Sequence, residues 1–117
     1  MKTREEAVRF CSAMPDSYMD KPFRDPNWVV ARHKKNKKVF AWIYEKDDLI
    51  WINVKCDPAW LEFWRNTYQS VIPGYHLNKE HWNSIILDGT VPASEIERMI
   101  GESYDLTRPK SKRERKK

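Results

Sequence analysis

Glycine, cysteine and histidine are scarce in this chain: three, two and three residues among 117. Each shortage excludes a class of chemistry. With only Gly74, Gly89 and Gly101, the sequence holds no glycine-rich loop that could wrap phosphates. Cys11 and Cys56 fall in separate predicted elements and form no CxxC, so two buried reduced thiols are expected and a disulfide is not. Metal sites need clustered ligands. His76 and His81 are five positions apart in a loop-to-strand segment with no cysteine nearby, and His33 is remote from both, so no metal is expected. Ser84 lies close to His81, but no GxSxG elbow surrounds it. The expectation is a non-enzymatic protein with no catalytic residue and no cofactor. No run approaches the roughly 20 apolar residues that span a bilayer, and no hydrophobic leader follows Met1-Lys2-Thr3-Arg4-Glu5-Glu6. A soluble, cytoplasmic monomer without membrane contact is therefore expected.

Aromatic weight and unevenly placed charge are what the sequence does have. Aromatics make up 13% of the chain, with six tryptophans, and hydrophobic residues 40%. A single domain of this length can bury a core from such material without disulfides or metal. The net charge of +5 is concentrated at one end. Residues 108–117 carry Arg108, Lys110, Lys112, Arg113, Arg115, Lys116 and Lys117 against Glu114 alone, a surplus of six that leaves residues 1–107 at −1. The expected organisation is a near-neutral domain over 1–107 followed by a basic, disordered tail over 108–117. Inside the domain one basic run stands out, from Arg32 through His33, Lys34, Lys35, Asn36 and Lys37 to Lys38. It is either a solvated hairpin tip or a basic wing aimed at a nucleic-acid backbone.

Thr3 and Glu6 fit a capping box, and Ala7, Phe10, Cys11 and Met14 form the apolar stripe of a helix that Pro15 ends. Residues 15–27, with three prolines, read as an irregular loop. Strands are expected over 27–32, 39–44 and 49–54, the last two joined by a turn at Glu45-Lys46-Asp47-Asp48. Both faces of these strands carry apolar side chains, and Trp51, Asn53 and Lys55 share a side. One face should therefore pack on helices while the other presents a partly exposed aromatic surface. Asp57-Pro58 starts a second helix in which Trp60, Leu61, Trp64 and Tyr68 are expected in the core. Pro73-Gly74 is a turn, 81–87 a fourth strand, and 92–104 a last helix that Ser94 and Glu97 could cap. The order α-β-β-β-α-β-α gives an α+β fold, an antiparallel sheet with helices packed on one face.

The blocks Lys55-Cys56-Asp57-Pro58 and Pro73-Gly74-Tyr75-His76-Leu77-Asn78-Lys79-Glu80-His81-Trp82 resemble the MmcQ/YjbR family. Met14-Pro15, Lys21-Pro22-Phe23, Lys38-Val39-Phe40-Ala41, Leu87-Asp88-Gly89 and Glu102-Ser103-Tyr104-Asp105-Leu106 extend the likeness. The resemblance implies a two-layer sandwich like that of the bacterial frataxin homologue CyaY, also compared to a double-wing DNA-binding domain, and with it a DNA-binding role. This chain carries Lys34-Lys35-Asn36-Lys37 where the family often has glycines, and Lys21 where it often has an aromatic. Frataxin-type iron binding uses an acidic helix, and here Arg4 and Arg9 accompany Glu5 and Glu6, so iron is not carried over.

Two functions follow as expectations. In the first, DNA is the partner, and Arg32, Lys34, Lys35, Lys37 and Lys38 contact its backbone, with Lys55 and Lys79 secondary. In the second, the domain binds a protein or small ligand in a pocket of Lys55, Tyr75, His76, Asn78, His81 and Trp82.

Overall fold

The structure, a computed structural model, describes residues 1–109. The expected tail lies outside the described residues from Lys110 onward. Helix α1 (Arg4–Ser12) opens on the expected capping box: the Glu6 amide donates to Thr3 Oγ1 at 3.1 Å, and the Thr3 amide donates to Glu6 Oε1 at 3.1 Å. Backbone donation from Lys2 and Thr3 holds the Glu6 carboxyl below its usual range. Ala7 and Cys11 face the core, and burial pushes the Cys11 thiol up to about 12.

Six strands follow in one antiparallel sheet: β1 (Ser17–Asp20), β2 (Val29–His33), β3 (Val39–Lys46), β4 (Leu49–Lys55), β5 (Val71–Pro73) and β6 (Trp82–Ile86). Their spatial order is β1-β2-β3-β4-β6-β5. Two strands add to the expected order, and both lie at sheet edges. β1 falls in the stretch read as a loop; all four of its residues are half-buried, so no alternation marks it. β5 spans three residues and stops at Pro73, which has no N–H to extend the ladder. The β3–β4 turn is tighter than expected. Lys46 pairs with Leu49, and Asp47 and Asp48 both take positive φ, 53° and 63°. That is a primed two-residue turn of the kind whose twist matches a hairpin.

Helix α2 (Pro58–Thr67) starts as expected, with Asp57 accepting from the Ala59 amide at 2.9 Å. Helix α3 (Ala93–Thr107) does not use Ser94 or Glu97 as its cap: Pro92 occupies the cap position without a side-chain hydrogen bond. The helices cover one sheet face, where Phe40, Ala41, Ile43, Ile52, Val54 and Ile85 are buried with Ala7, Leu61, Trp64, Ile96 and Ile100. Trp60 was expected in this core but is half-exposed, edge-on to the equally exposed Phe63. It sits one position before Leu61, off the buried stripe of α2.

The register defines the opposite face. Trp42 pairs with Asn53, Tyr44 with Trp51, and Asn53 with Ser84. Pleating points these side chains away from the helices. The expected aromatic face therefore exists, but it is more covered than expected: Tyr44, Trp51, Asn53 and Ser84 are buried and Trp42 is half-buried.

Candidate functional site

The basic run forms the β2–β3 hairpin tip. His33 N–H donates to the Lys38 carbonyl at 3.0 Å, Lys37 N–H donates to the His33 carbonyl at 2.9 Å, and Lys37 has φ 62°. Lys34, Lys35, Lys37 and Lys38 are exposed, and among the described residues none of the four makes an ion pair. Arg32 differs. Its Nε donates to Asp20 Oδ2 at 2.8 Å and its Nη1 to the Lys37 carbonyl at 2.8 Å, so its charge is locally balanced. His33 is buried, its Nε2 2.9 Å from Thr107 Oγ1, and burial holds its pKa below the usual range. Asn36 Nδ2 donates to the Thr107 carbonyl at 2.9 Å. The tip is thus fixed at the C-terminus of α3, where cations are favoured by the helix dipole. The chain leaves the helix toward its basic tail at this same end.

The Pro73–Trp82 segment is held from within. Asn78 Oδ1 accepts from the Glu80 amide at 2.8 Å, and its carbonyl accepts from the His81 and Trp82 amides. Lys79 Nζ donates to the Gly74 carbonyl at 3.1 Å. Arg65 of α2 supplies the external support: its Nε donates to Asn83 Oδ1 at 2.7 Å, and Nη2 donates to the Lys79 carbonyl. Gly74 is obligatory because a Cβ there would lie 2.8 Å from Trp82 Cβ and 2.9 Å from the Trp82 carbonyl oxygen.

The six residues expected in one pocket separate. Of these, His81 lines a cleft with Pro58, Leu61, Glu62 and Arg65, joined there by Lys79 from the expected DNA contacts. Lys55 lies beside Cys56, Trp64 and Glu102, and its amide N–H donates to Ser103 Oγ at 2.8 Å. Tyr75 and His76 turn to the aromatic face instead. There, with Phe23, Trp28, Trp42, Asn53 and Leu77, they line a cleft of about 320 Å³. Asn53 is fully buried at this cleft. Its Oδ1 accepts from Tyr44 Oη at 2.7 Å and from Ser84 Oγ at 2.5 Å, and its Nδ2 donates to the Tyr75 carbonyl at 2.8 Å. The Tyr75 amide donates to Ser84 Oγ at 2.8 Å, so the Tyr75 backbone is clamped on both sides. His76 is held at φ 62° with its ring centroid 4.0 Å from that of Tyr75. Phe23, Trp28, Trp42, Asn53 and Leu77 were absent from the expected pocket. The shared side of Trp51, Asn53 and Lys55 was the signal that led toward them, and only the strand register completes it.

Among the described residues no group of three or more His, Cys, Asp or Glu is placed to hold a metal ion, and no helix is long and apolar enough to cross a membrane.

Comparison with known proteins follows the same residues. The sequence model of the YjbR family matches residues 12–106. The Bacillus subtilis protein YyaQ is 34% identical over 119 residues, covering 92% of this chain and 100% of YyaQ. The Escherichia coli protein YjbR is 29% identical over 102 residues, covering 87% and 84% of the two chains. A crystal structure from Deinococcus radiodurans, described as a DUF419 domain, superposes with a TM-score of 0.84 at 34% identity, covering 99% of this chain and 87% of that one. One from Pseudomonas syringae gives 0.81 at 29% identity, covering 91% and 99%. The family match runs from the last residue of α1 into the last turn of α3, and the chain belongs to the YjbR family.

Proposed function

We propose that this protein is a non-enzymatic DNA-binding protein whose β2–β3 hairpin tip contacts the phosphate backbone. One observation carries the reading: four exposed ammonium groups, on Lys34, Lys35, Lys37 and Lys38, crowd one turn without a carboxylate partner among the described residues. In a domain whose residues 1–107 sum to −1, such a cluster is a local feature, and it presents the charge type that recognises phosphate. Arg32 supports the turn from below, through Asp20 and the Lys37 carbonyl. Lys55, half-buried, and Lys79, tied to Gly74, take secondary places.

Fluorescence anisotropy with a labelled duplex over a salt series tests this. Log affinity falls against log salt with a slope of about −0.9 per phosphate neutralised. Replacing Lys34, Lys35, Lys37 and Lys38 with alanine in the full chain should flatten the slope by up to about 3.6. A chain ending at Pro109 should retain binding. An unchanged slope in the lysine variant, or loss of all binding with the tail, refutes the hairpin reading.

A further inference from the structure

The aromatic cleft is unused by the lysine reading. We infer that it is a binding site for one neutral planar heteroaromatic ring bearing hydrogen-bond acceptors, the chemistry of a nucleobase. Several observations converge on this.

The walls are flat and lie in two orientations. Trp42 is nearly parallel to Phe23 (22°, centroids 6.1 Å apart) and nearly perpendicular to Trp28 (84°, 6.3 Å). A planar ring can therefore meet one face and one edge at once, the arrangement aromatic systems prefer. The volume, about 320 Å³, lies at the lower end of ligand sites, which run from about 300 to 1,000 Å³, and so suits a single ring system. No Lys, Arg, Asp or Glu lines it, which favours an uncharged occupant.

Two donors lie enclosed in the wall, so an occupant reaches them only where the wall opens. The indole N–H of Trp42, like those of Trp51 and Trp64, is enclosed and has no hydrogen-bond partner, and of the three only Trp42 lines this cleft. Asn53 Nδ2 gives one hydrogen to the Tyr75 carbonyl and has a second to offer. Both are donors, so the complementary ligand carries acceptors, as ring nitrogens and exocyclic carbonyls of nucleobases do. Phe23, half-exposed and stacked on Trp42, is the cover that a stacking ring would displace or share.

The remaining wall is pre-formed. Tyr75 is clamped through its amide by Ser84 and through its carbonyl by Asn53. His76 beside it sits at φ 62°, a backbone state unfavourable for a non-glycine residue and often found at ligand sites.

A free nucleoside and an unpaired base on a strand share this chemistry, and the experiment separates them. Uniformly 15N-labelled full-length protein is titrated with adenosine, guanosine, cytidine and thymidine, then with a short single-stranded DNA. The Trp42 indole N–H resonance is identified as the one missing from Trp42→Phe. The expected result is a shift of that resonance with at least one nucleoside, or with the oligonucleotide alone if the base must be presented on a strand. Trp42→Phe keeps an aromatic face, smaller than the indole, and removes the donor, and should weaken binding about tenfold or more, at least the equivalent of one hydrogen bond. Phe23→Ala should weaken it as well, from a half-exposed position that leaves the core intact. An unmoved Trp42 resonance with every probe, or unchanged affinity in Trp42→Phe, overturns the inference. The nucleoside arm carries no phosphate and does not involve the hairpin lysines. Failure of the backbone reading and failure of the cleft are therefore seen separately.

Discussion

Replacing Asn53 with alanine should destabilise the fold by more than any other single polar substitution on the open sheet face. Asn53 is fully buried and accepts from Tyr44 Oη and Ser84 Oγ while donating to the Tyr75 carbonyl. Each bond contributes about 1 kcal/mol net, and a buried group left without its partner costs about 1–3 kcal/mol. Tyr44 is itself buried, and burial raises its phenol to about 12. Its hydroxyl would lose its acceptor where water does not readily reach. The Tyr75 carbonyl lies at the cleft and can be rehydrated. The expected loss is therefore about 3 kcal/mol, not the sum of three full penalties. Urea denaturation followed by tryptophan fluorescence measures it. Tyr44→Phe alone should cost about 1 kcal/mol, and the double variant should fall short of the summed losses by about 1 kcal/mol, because either change breaks the same bond. A loss below about 1 kcal/mol for Asn53→Ala, or strict additivity, would show that this network does not hold the face together.

Two further expectations come from buried positions. Burial, reinforced by Arg108, holds His33 below its usual pKa against the opposing pull of the Tyr104 backbone and Asp105. The unfolded chain then binds a proton that the fold resists. Stability should be full above about pH 6.5 and decline as pH drops below it, by at most about 1.4 kcal/mol per pH unit, levelling off below the folded pKa. His33→Gln should remove that decline between pH 7 and 5, and parallel curves for the two proteins would refute the assignment. Gly74→Ala should destabilise by about 2 kcal/mol, since its Cβ would strike Trp82 backbone that the Gly74 amide itself bonds at 2.9 Å. Gly101→Ala, with open space around the new Cβ, is the control and should not lower the midpoint in thermal unfolding.

The parts of the fold that the sequence makes legible are those with a local physical cause. The Thr3–Glu6 capping box, the Asp57-Pro58 helix start and the apolar stripes of α1 and α3 each follow from contacts within one turn of chain. Trp60 defeats the same logic, because helical spacing assigns a stripe but not its edge, and Phe63 and Trp60 fall past that edge. β1 and β5 are illegible for a related reason. Ser17–Asp20 is half-buried throughout, and its strand character comes from pairing Ser17 with His33 and Asp20 with Val30 across a distance in sequence. No propensity in Ser-Tyr-Met-Asp encodes that partner.

The same distinction governs the site. A polar loop near one stretch of sequence invites the reading that its donors face a ligand, yet a loop must first satisfy its own backbone. Asn78 and Lys79 spend their polar groups doing so, and Arg65, thirteen residues before Asn78, completes the task from α2. What such a loop can then offer is the surface it has made rigid. Tyr75 and His76 are the part of the segment turned toward the aromatic face, and they meet Phe23, Trp28 and Trp42 only because β2, β3 and β4 lie side by side in register. Asn53 reads from the sequence as a polar interruption of an apolar strand, and in the fold it is the point where strands β3, β4 and β6 and the Tyr75 backbone are tied together. That asparagine is satisfied by the strands it joins, whereas the Trp42 indole N–H cross-strand from it has no partner, and that unmet donor is the physical reason to look for a ligand there before looking at the exposed loop.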